Sequence, residues 1–188
     1  RDVREEVYRN IQWWMDRGVA GFRIDAIINI RKSLPFRDYP SSRDDGLCDI
    51  NDMLATVDDI GEFLGEMRDR VFIPNNALTI GEVFNEKYDE LGEFIGEKGY
   101  FSSMFDFSHV VQGTSRLGWY DRKQITVEEY KACVTAAQKR IGDTGFFSNV
   151  IENHDRPRAA SYYLPEDGRN ETGKKCLALA YFMLRGLP

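Results

Sequence analysis

Gly21-Phe22-Arg23-Ile24-Asp25-Ala26 reads as a strand that ends in charge. It lies within an apolar run over 19–28. Alternation along a strand puts Phe22 and Ile24 on one face and Arg23 and Asp25 on the other. A strand of a parallel sheet is covered on both faces and should be apolar throughout, so a cation and an acid at its end call for a reason. Two later stretches share the pattern: Leu78-Thr79-Ile80-Gly81-Glu82-Val83-Phe84 and Val150-Ile151-Glu152-Asn153-His154-Asp155-Arg156-Pro157-Arg158. In α/β barrels and open α/β sheets alike, the C-terminal strand ends carry the chemistry.

Outward from the first strand the chain alternates. Before it, Val3, Val7, Ile11, Trp14 and Met15 share one face of a helix over 3–15. Asp2 with Glu5 resembles a capping box at its start, and Gly18 is its C-cap. After the strand come a Pro-, Ser- and Gly-containing loop over 31–49 and a helix over 50–72 through Leu54, Val57, Ile60, Leu64, Met67 and Val71. A strand over 77–84, a short helix over 88–95 and an aromatic strand over 100–107 follow. A helix over 127–141, a strand over 146–152 and an apolar helix over 174–185 complete the order. Strands alternating with helices predict an α/β fold with a parallel sheet and right-handed crossovers. No internal repeat, low-complexity tract or interdomain linker is visible.

Composition agrees with such a fold. The 188 residues hold 25 Lys+Arg against 31 Asp+Glu, a formal net charge of -6. That length suits one ordinary domain with a sizeable core, and 13% aromatic residues would be unusual in a disordered chain. The acidic balance argues against nucleic acid or an anionic membrane as partner. The longest apolar run, over 176–184, is far short of the roughly 18 residues of a membrane span. Cys48, Cys133 and Cys176 are odd in number, far apart and without CxxC spacing. They are expected to be reduced core thiols of a cytoplasmic protein, not a disulfide framework or a zinc site.

Asp25, Glu82 and Asp155 are the candidate catalytic acids. Taken singly, each is commonly a turn residue or a helix N-cap, Arg23 with Asp25 a structural ion pair, and His154 a satisfied loop residue. Their spacing is harder to dismiss. A (β/α)8 barrel spends about 31 residues on each strand-helix unit. Glu82 to Asp155 spans a little over two such units, with the strand over 100–107 between. Asp25 to Glu82 spans nearly two, the loop over 31–49 accounting for the surplus. The three acids therefore occupy equivalent places in successive units and are expected in one pocket. Paired carboxyls suit glycoside cleavage, which in its retaining form sets a nucleophile about 5–5.5 Å from an acid. The nucleophile must stay ionised, which Arg23 favours for Asp25. Glu82 has no cation adjacent in sequence and sits among Ile80, Val83 and Phe84, where desolvation raises a carboxyl's pKa as a general acid requires.

These motifs resemble those of glycoside hydrolase family 13, the α-amylase superfamily, and within it the α-glucosidase / oligo-1,6-glucosidase branch. Gly21-Phe22-Arg23-Ile24-Asp25 is similar to the family's strand-four motif with the nucleophile, and Thr79-Ile80-Gly81-Glu82-Val83 to the strand-five motif with the acid/base. Glu152-Asn153-His154-Asp155-Arg156-Pro157-Arg158 is similar to the strand-seven motif, whose Asp helps bind sugar hydroxyls in the transition state. The resemblance implies that Arg23 orients the nucleophile, that His154 binds a hydroxyl of the glucose in subsite −1, and that Arg158 is a further substrate contact. It implies a partial (β/α)8 barrel, approximately strand 4 through helix 7. Residues 1–188 would be a fragment of the catalytic barrel domain, with domain B and the C-terminal β domain outside the chain and the rest of the parent barrel needed to complete the fold.

What the resemblance implies for ligands is a small oligosaccharide or disaccharide as partner, with no cofactor and no metal. No DxNxDG-like calcium loop is present in the sequence. Linkage stays open between α-1,6 and α-1,4. Ala26 after the nucleophile goes with α-1,4 or broad specificity, while Asp25-Ala26-Ile27-Ile28-Asn29 and Leu34-Pro35 look closer to the α-1,6 type. Arg156 departs from the Gln often found there. Sucrose isomerases and trehalose-6-phosphate hydrolases share the scaffold, as do non-catalytic transporter heavy chains, which need no intact acids. An unrelated metal-dependent barrel hydrolase would need His and carboxylate ligands on several strands, hard to assemble from two His. Trp13, Trp14, Phe22, Phe84, Phe101 and Phe105 read as core rather than sugar platforms. Asp106 and His109 are candidates to line the pocket, and the acidic stretch over 58–69 is the wet face of a helix.

Overall fold

Helix α1 runs Asp2–Met15 and closes as its sequence predicts. Gly18 takes a left-handed φ of 92°, and its N–H donates to the Met15 carbonyl at 2.9 Å, a conformation that costs glycine least. The face of α1 that packs is not the expected one. Val3, Val7 and Trp14 stay exposed, and Tyr8 is buried. Arg4, Tyr8 and Gln12, spaced four apart, form the stripe that meets the next layer. Arg4 Nη1 and the Tyr8 hydroxyl donate to Oε2 of Glu66 at 2.8 and 3.2 Å, and Gln12 exchanges hydrogen bonds with Asn75. Trp13, read as core, is likewise half-exposed: the Arg17 guanidinium lies 3.5 Å above its ring.

The computed structural model describes residues 2–41, 45–57, 60–84, 90–109, 114–115 and 118–188. The chain divides into two compact units, Arg1–Met104 and Phe105–Pro188. In the first, the helix expected over 50–72 is two helices. Helix α2 spans Ile50–Leu54, and α3 spans Ile60–Met67 with a π-helical turn over Arg68–Phe72. The Thr56 hydroxyl donates to the Met53 carbonyl at 2.8 Å, a side chain competing for a backbone acceptor and ending the helix locally. The apolar periodicity itself holds, since Leu64, Met67, Val71 and Phe72 are all buried. Residues 58–59 at the head of the acidic stretch, 42–44 of the long loop, and 88–89 at the start of the short helix lie outside the described residues. That short helix is α4, Leu91–Phe94.

Strands β1, Gly21–Ile24, and β2, Leu78–Gly81, pair in parallel, Gly21 with Leu78 through Ile24 with Gly81. Strand β3, Ser103–Asp106, continues the sheet, Ile80 pairing with Ser103 and Gly81 with Met104. Each strand is shorter than its apolar run, because the residues after Ile24 and Gly81 leave the ladder. Phe101, Met104 and Ile95 join the buried core of this unit.

In the second unit the end of β3 pairs in parallel with Ser148–Asn149, Phe105 with Ser148 and Asp106 with Asn149. A hairpin that the sequence reading missed joins β4, Thr114–Ser115, to β5, Gly118–Arg122. Helix α5, Val127–Ile141, begins with a complete capping box between Thr126 and Glu129. Ser148–Asn149 is β6, two residues long. Helix α6 spans Ala159–Tyr163, and α7 spans Glu171–Phe182, starting earlier than expected because Asn170 caps the Gly173 N–H at 2.9 Å. Val134, Ala137, Ile141, Phe147 and Tyr162 are buried here. The cysteines are free, yet Cys48 and Cys176 are exposed and Cys133 half-buried. They are thiols but not core thiols: one sits in a loop and one on the outer face of α7.

Candidate active site

The register of β1 on β2 builds the site. Ile24 faces Gly81, so the next residue of each strand, Asp25 and Glu82, leaves the sheet at the same level. The Glu82 N–H donates to the Ile24 carbonyl at 2.8 Å, extending the ladder by one bond. Ala26 then turns left-handed, φ 36° and ψ 37°, and its N–H donates to Oε2 of Glu82 at 3.2 Å.

Arg23 joins the two acids. Its Nη1 donates to Oδ1 of Asp25 at 2.6 Å, and its Nη2 to Oε2 of Glu82 at 2.5 Å. One planar guanidinium thus serves two carboxyls from neighbouring strands, one through each terminal nitrogen of its fixed fork. This corrects one expectation. No cation is adjacent to Glu82 in sequence, but the fold supplies one from the next strand.

The two acids differ in surroundings. The Glu82 side chain is 5% exposed and that of Asp25 72%. Burial pushes the Glu82 carboxyl above its ordinary range, and a hydrogen bond with the Asp25 carboxyl pushes it further; the Ala26 N–H and the Arg23 charge pull the other way. Desolvation wins over the cation, so the expected direction holds for the expected reason. Chemically, the arrangement sets a solvent-facing carboxyl beside a buried one whose pKa is raised.

The remaining predicted residues lie in the second unit, in the turn after β6. His154 Nε2 stands 3.5 Å from Oδ2 of Asp155, and both side chains are about two-thirds exposed. The Asp155 N–H donates to Oδ1 of Asn153 at 3.1 Å. Arg158 is 85% exposed and its Nη1 lies 2.7 Å from Oε1 of Glu152. Unlike Asp25 and Glu82, Asp155 does not follow its strand directly, since β6 ends at Asn149. The reading of the residues did not single out Ala26 as a donor or Glu152 as a partner. An acid just before Asn153-His154-Asp155 was the available signal for Glu152; nothing local marked Ala26.

Asp106 and His109, taken as candidates to line the pocket, are both buried within the second unit. Asp106 accepts the Ser108 N–H at 2.9 Å, and His109 packs 5.3 Å from the Tyr130 ring and 5.9 Å from that of Tyr163. Phe101 is core as expected, while Phe22, Phe84 and Phe105 are half-buried. Among the described residues, no three His, Cys, Asp or Glu side chains converge as metal donors, and no helix is long and apolar enough to cross a membrane.

Known proteins resemble the chain throughout. The family model described as alpha amylase, catalytic domain, matches residues 1–188. The probable oligo-1,6-glucosidase 3 of Bacillus subtilis (strain 168) is 31% identical over 190 residues, covering 99% of this chain and 33% of its own length. The oligo-1,6-glucosidase of Halalkalibacterium halodurans is 27% identical over 187 residues, again 99% of this chain and 33% of the relative. The crystal structure of Bacillus licheniformis trehalose-6-phosphate hydrolase matches with a TM-score of 0.80 at 26% identity, over 100% of this chain and 33% of that one. The chain spans about a third of the length of the curated relatives it matches.

Proposed function

We propose that this chain, which belongs to the alpha-amylase catalytic-domain family, carries the nucleophile and the acid/base of a retaining α-glucosidase. Its fold is part of the (β/α)8 barrel of such enzymes. The observation that carries the proposal is the Arg23 bridge between an exposed Asp25 and a buried Glu82. In the proposed reaction Glu82 protonates the glycosidic oxygen while Asp25 attacks the anomeric carbon. The leaving sugar departs with the proton, and a glucosyl ester to Asp25 remains. Glu82, now ionised, takes a proton from water, which hydrolyses the ester with net retention. Arg23 keeps Asp25 ionised and aimed. Asp155 holds sugar hydroxyls as the transition state forms, and His154 and Arg158 bind the same sugar; these roles come from the motif match.

The substrates proposed are short α-glucosides. Relatives named oligo-1,6-glucosidase favour the α-1,6 linkage, and the trehalose-6-phosphate hydrolase likeness keeps a phosphorylated disaccharide as the second reading. The rest of a barrel would complete the domain, and three free cysteines suit a reducing, cytoplasmic setting. The test is the protein that carries this chain, assayed on p-nitrophenyl α-glucoside, isomaltose, maltose and trehalose 6-phosphate. An α-configured first product by NMR is expected, together with an Asp25→Asn loss of at least about a thousandfold. A β-configured first product, or wild-type turnover by Asp25→Asn, overturns the assignment.

A further inference from the structure

We infer that Glu152 is a positioning residue that closes the turn over 153–158 onto the start of α6 and so sets where Asp155 and Arg158 stand. The inference rests on the glycosidase reading above and deepens it. Glu152 uses both carboxylate oxygens. Oε2 accepts the Ala159 N–H at 2.5 Å, seven residues along the chain. Oε1 takes Nη1 of Arg158 at 2.7 Å. Ala159 is the first residue of α6, and the N-cap residue Arg158 makes no side-chain cap of its own. Glu152 therefore satisfies an N–H that the helix start leaves unpaired, with a charge of the sign that a helix N-terminus favours.

Within the loop so closed, the Asn153 side chain and carbonyl accept the Asp155 and Arg156 N–H groups at 3.1 and 3.3 Å. These bonds shape the turn but tie it only to itself. Glu152 ties the head of the turn to its far end, at the start of α6. An ion pair to an arginine that is 85% exposed contributes little stability. Its consequence is geometric: it biases the guanidinium toward the Glu152 side of the turn. A residue holding both an acid-bearing turn and an arginine should affect the transition state more than the ground state.

The experiment measures kcat and KM on p-nitrophenyl α-glucoside for Glu152→Ala, Glu152→Gln, Arg158→Ala, the Glu152→Gln/Arg158→Ala pair and Asp155→Asn, with melting curves for each. Glu152→Ala is expected to lose about 10- to 100-fold in kcat/KM, chiefly in kcat, as misplacement of a reacting group does. Glu152→Gln keeps an oxygen for the Ala159 N–H but loses the charge for Arg158, so it loses less. In the Arg158→Ala background the Gln change is expected to cost nothing further. Wild-type kcat/KM for Glu152→Ala, or independent multiplication of the Glu152→Gln and Arg158→Ala losses, overturns the inference. Should Glu152→Ala fail to fold, the Gln cycle decides alone. An inactive Asp155→Asn beside a normal Glu152→Ala rejects the positioning role only; a fully active Asp155→Asn rejects the site assignment beneath it.

Discussion

The Arg23 guanidinium donates to Glu82 across the β1–β2 ladder, Nη2 to Oε2 at 2.5 Å, while its other terminal nitrogen holds Asp25 at 2.6 Å. Two carboxyls thereby share one cation. Burial keeps Glu82 above the ordinary carboxyl range in spite of that cation, while Asp25 faces solvent.

Replacing Arg23 by Met, apolar and of similar reach, removes the bridge. The Arg23 charge lowers the Glu82 pKa, so its loss should raise that pKa further. In the kcat/KM profile of the protein that carries this chain, the alkaline limb is expected to move to higher pH. The plateau should fall by at least about tenfold because Asp25, the proposed nucleophile, loses its orientation. An unmoved limb would separate Glu82 from the alkaline ionisation.

Glu82 also makes stability depend on pH. Its folded pKa is raised, so the folded state binds the proton more tightly than the unfolded one. The associated stability is full below the ordinary glutamate pKa of 4.5 and is lost as pH rises through the raised value. Glu82→Gln does not titrate. Its melting temperature relative to wild type is expected to climb as pH goes from about 4 to about 8. A constant difference across that range would contradict the burial cost.

Gly81 fits only without a side chain. A Cβ there would stand 2.3 Å from Cδ2 of Phe101, a ring that is 2% exposed. Gly81→Ala is expected to destabilise by about 1–3 kcal/mol in denaturant unfolding. Shrinking the ring in a Gly81→Ala/Phe101→Leu pair should recover part of the loss, and a neutral Gly81→Ala would mean that the ring yields freely.

His109 is buried among tyrosines. Among the described residues, neither of its ring nitrogens makes a hydrogen bond of standard geometry, nor do the hydroxyls of Tyr130 and Tyr163. Burial holds its pKa below the ordinary 6.5, against the Asp106 charge and the Val150 backbone. The unfolded state then binds the proton more readily, so stability falls as pH drops below the ordinary histidine value. His109→Phe should be at least as stable as wild type at neutral pH. It should also lose less stability between about pH 6.5 and pH 5. An unchanged acid slope would assign that slope to other groups.

The kinds of element were legible in the sequence because their signals are local. Alternation at Phe22, Arg23, Ile24 and Asp25, the periodicity through Leu64, Met67 and Val71, and Gly18 after α1 each depend on neighbours within a few residues. The acids at the strand ends were legible for the same reason: Asp25 and Glu82 interrupt apolar runs. Tertiary structure decided what those residues meet. Only the β1–β2 register brings Arg23, 59 residues distant, onto Glu82, and burial by the assembled unit, with the Asp25 carboxyl beside it, raises that carboxyl's pKa. The packing face of α1 turned on Glu66 and Asn75, more than fifty residues away. The double grip of Glu152 needed the turn to bring Arg158 and Ala159 back onto it. Sequence pattern specifies backbone periodicity and turn chemistry. Contact partners, desolvation and the pKa values that follow arise from pairings across the chain that no local window contains.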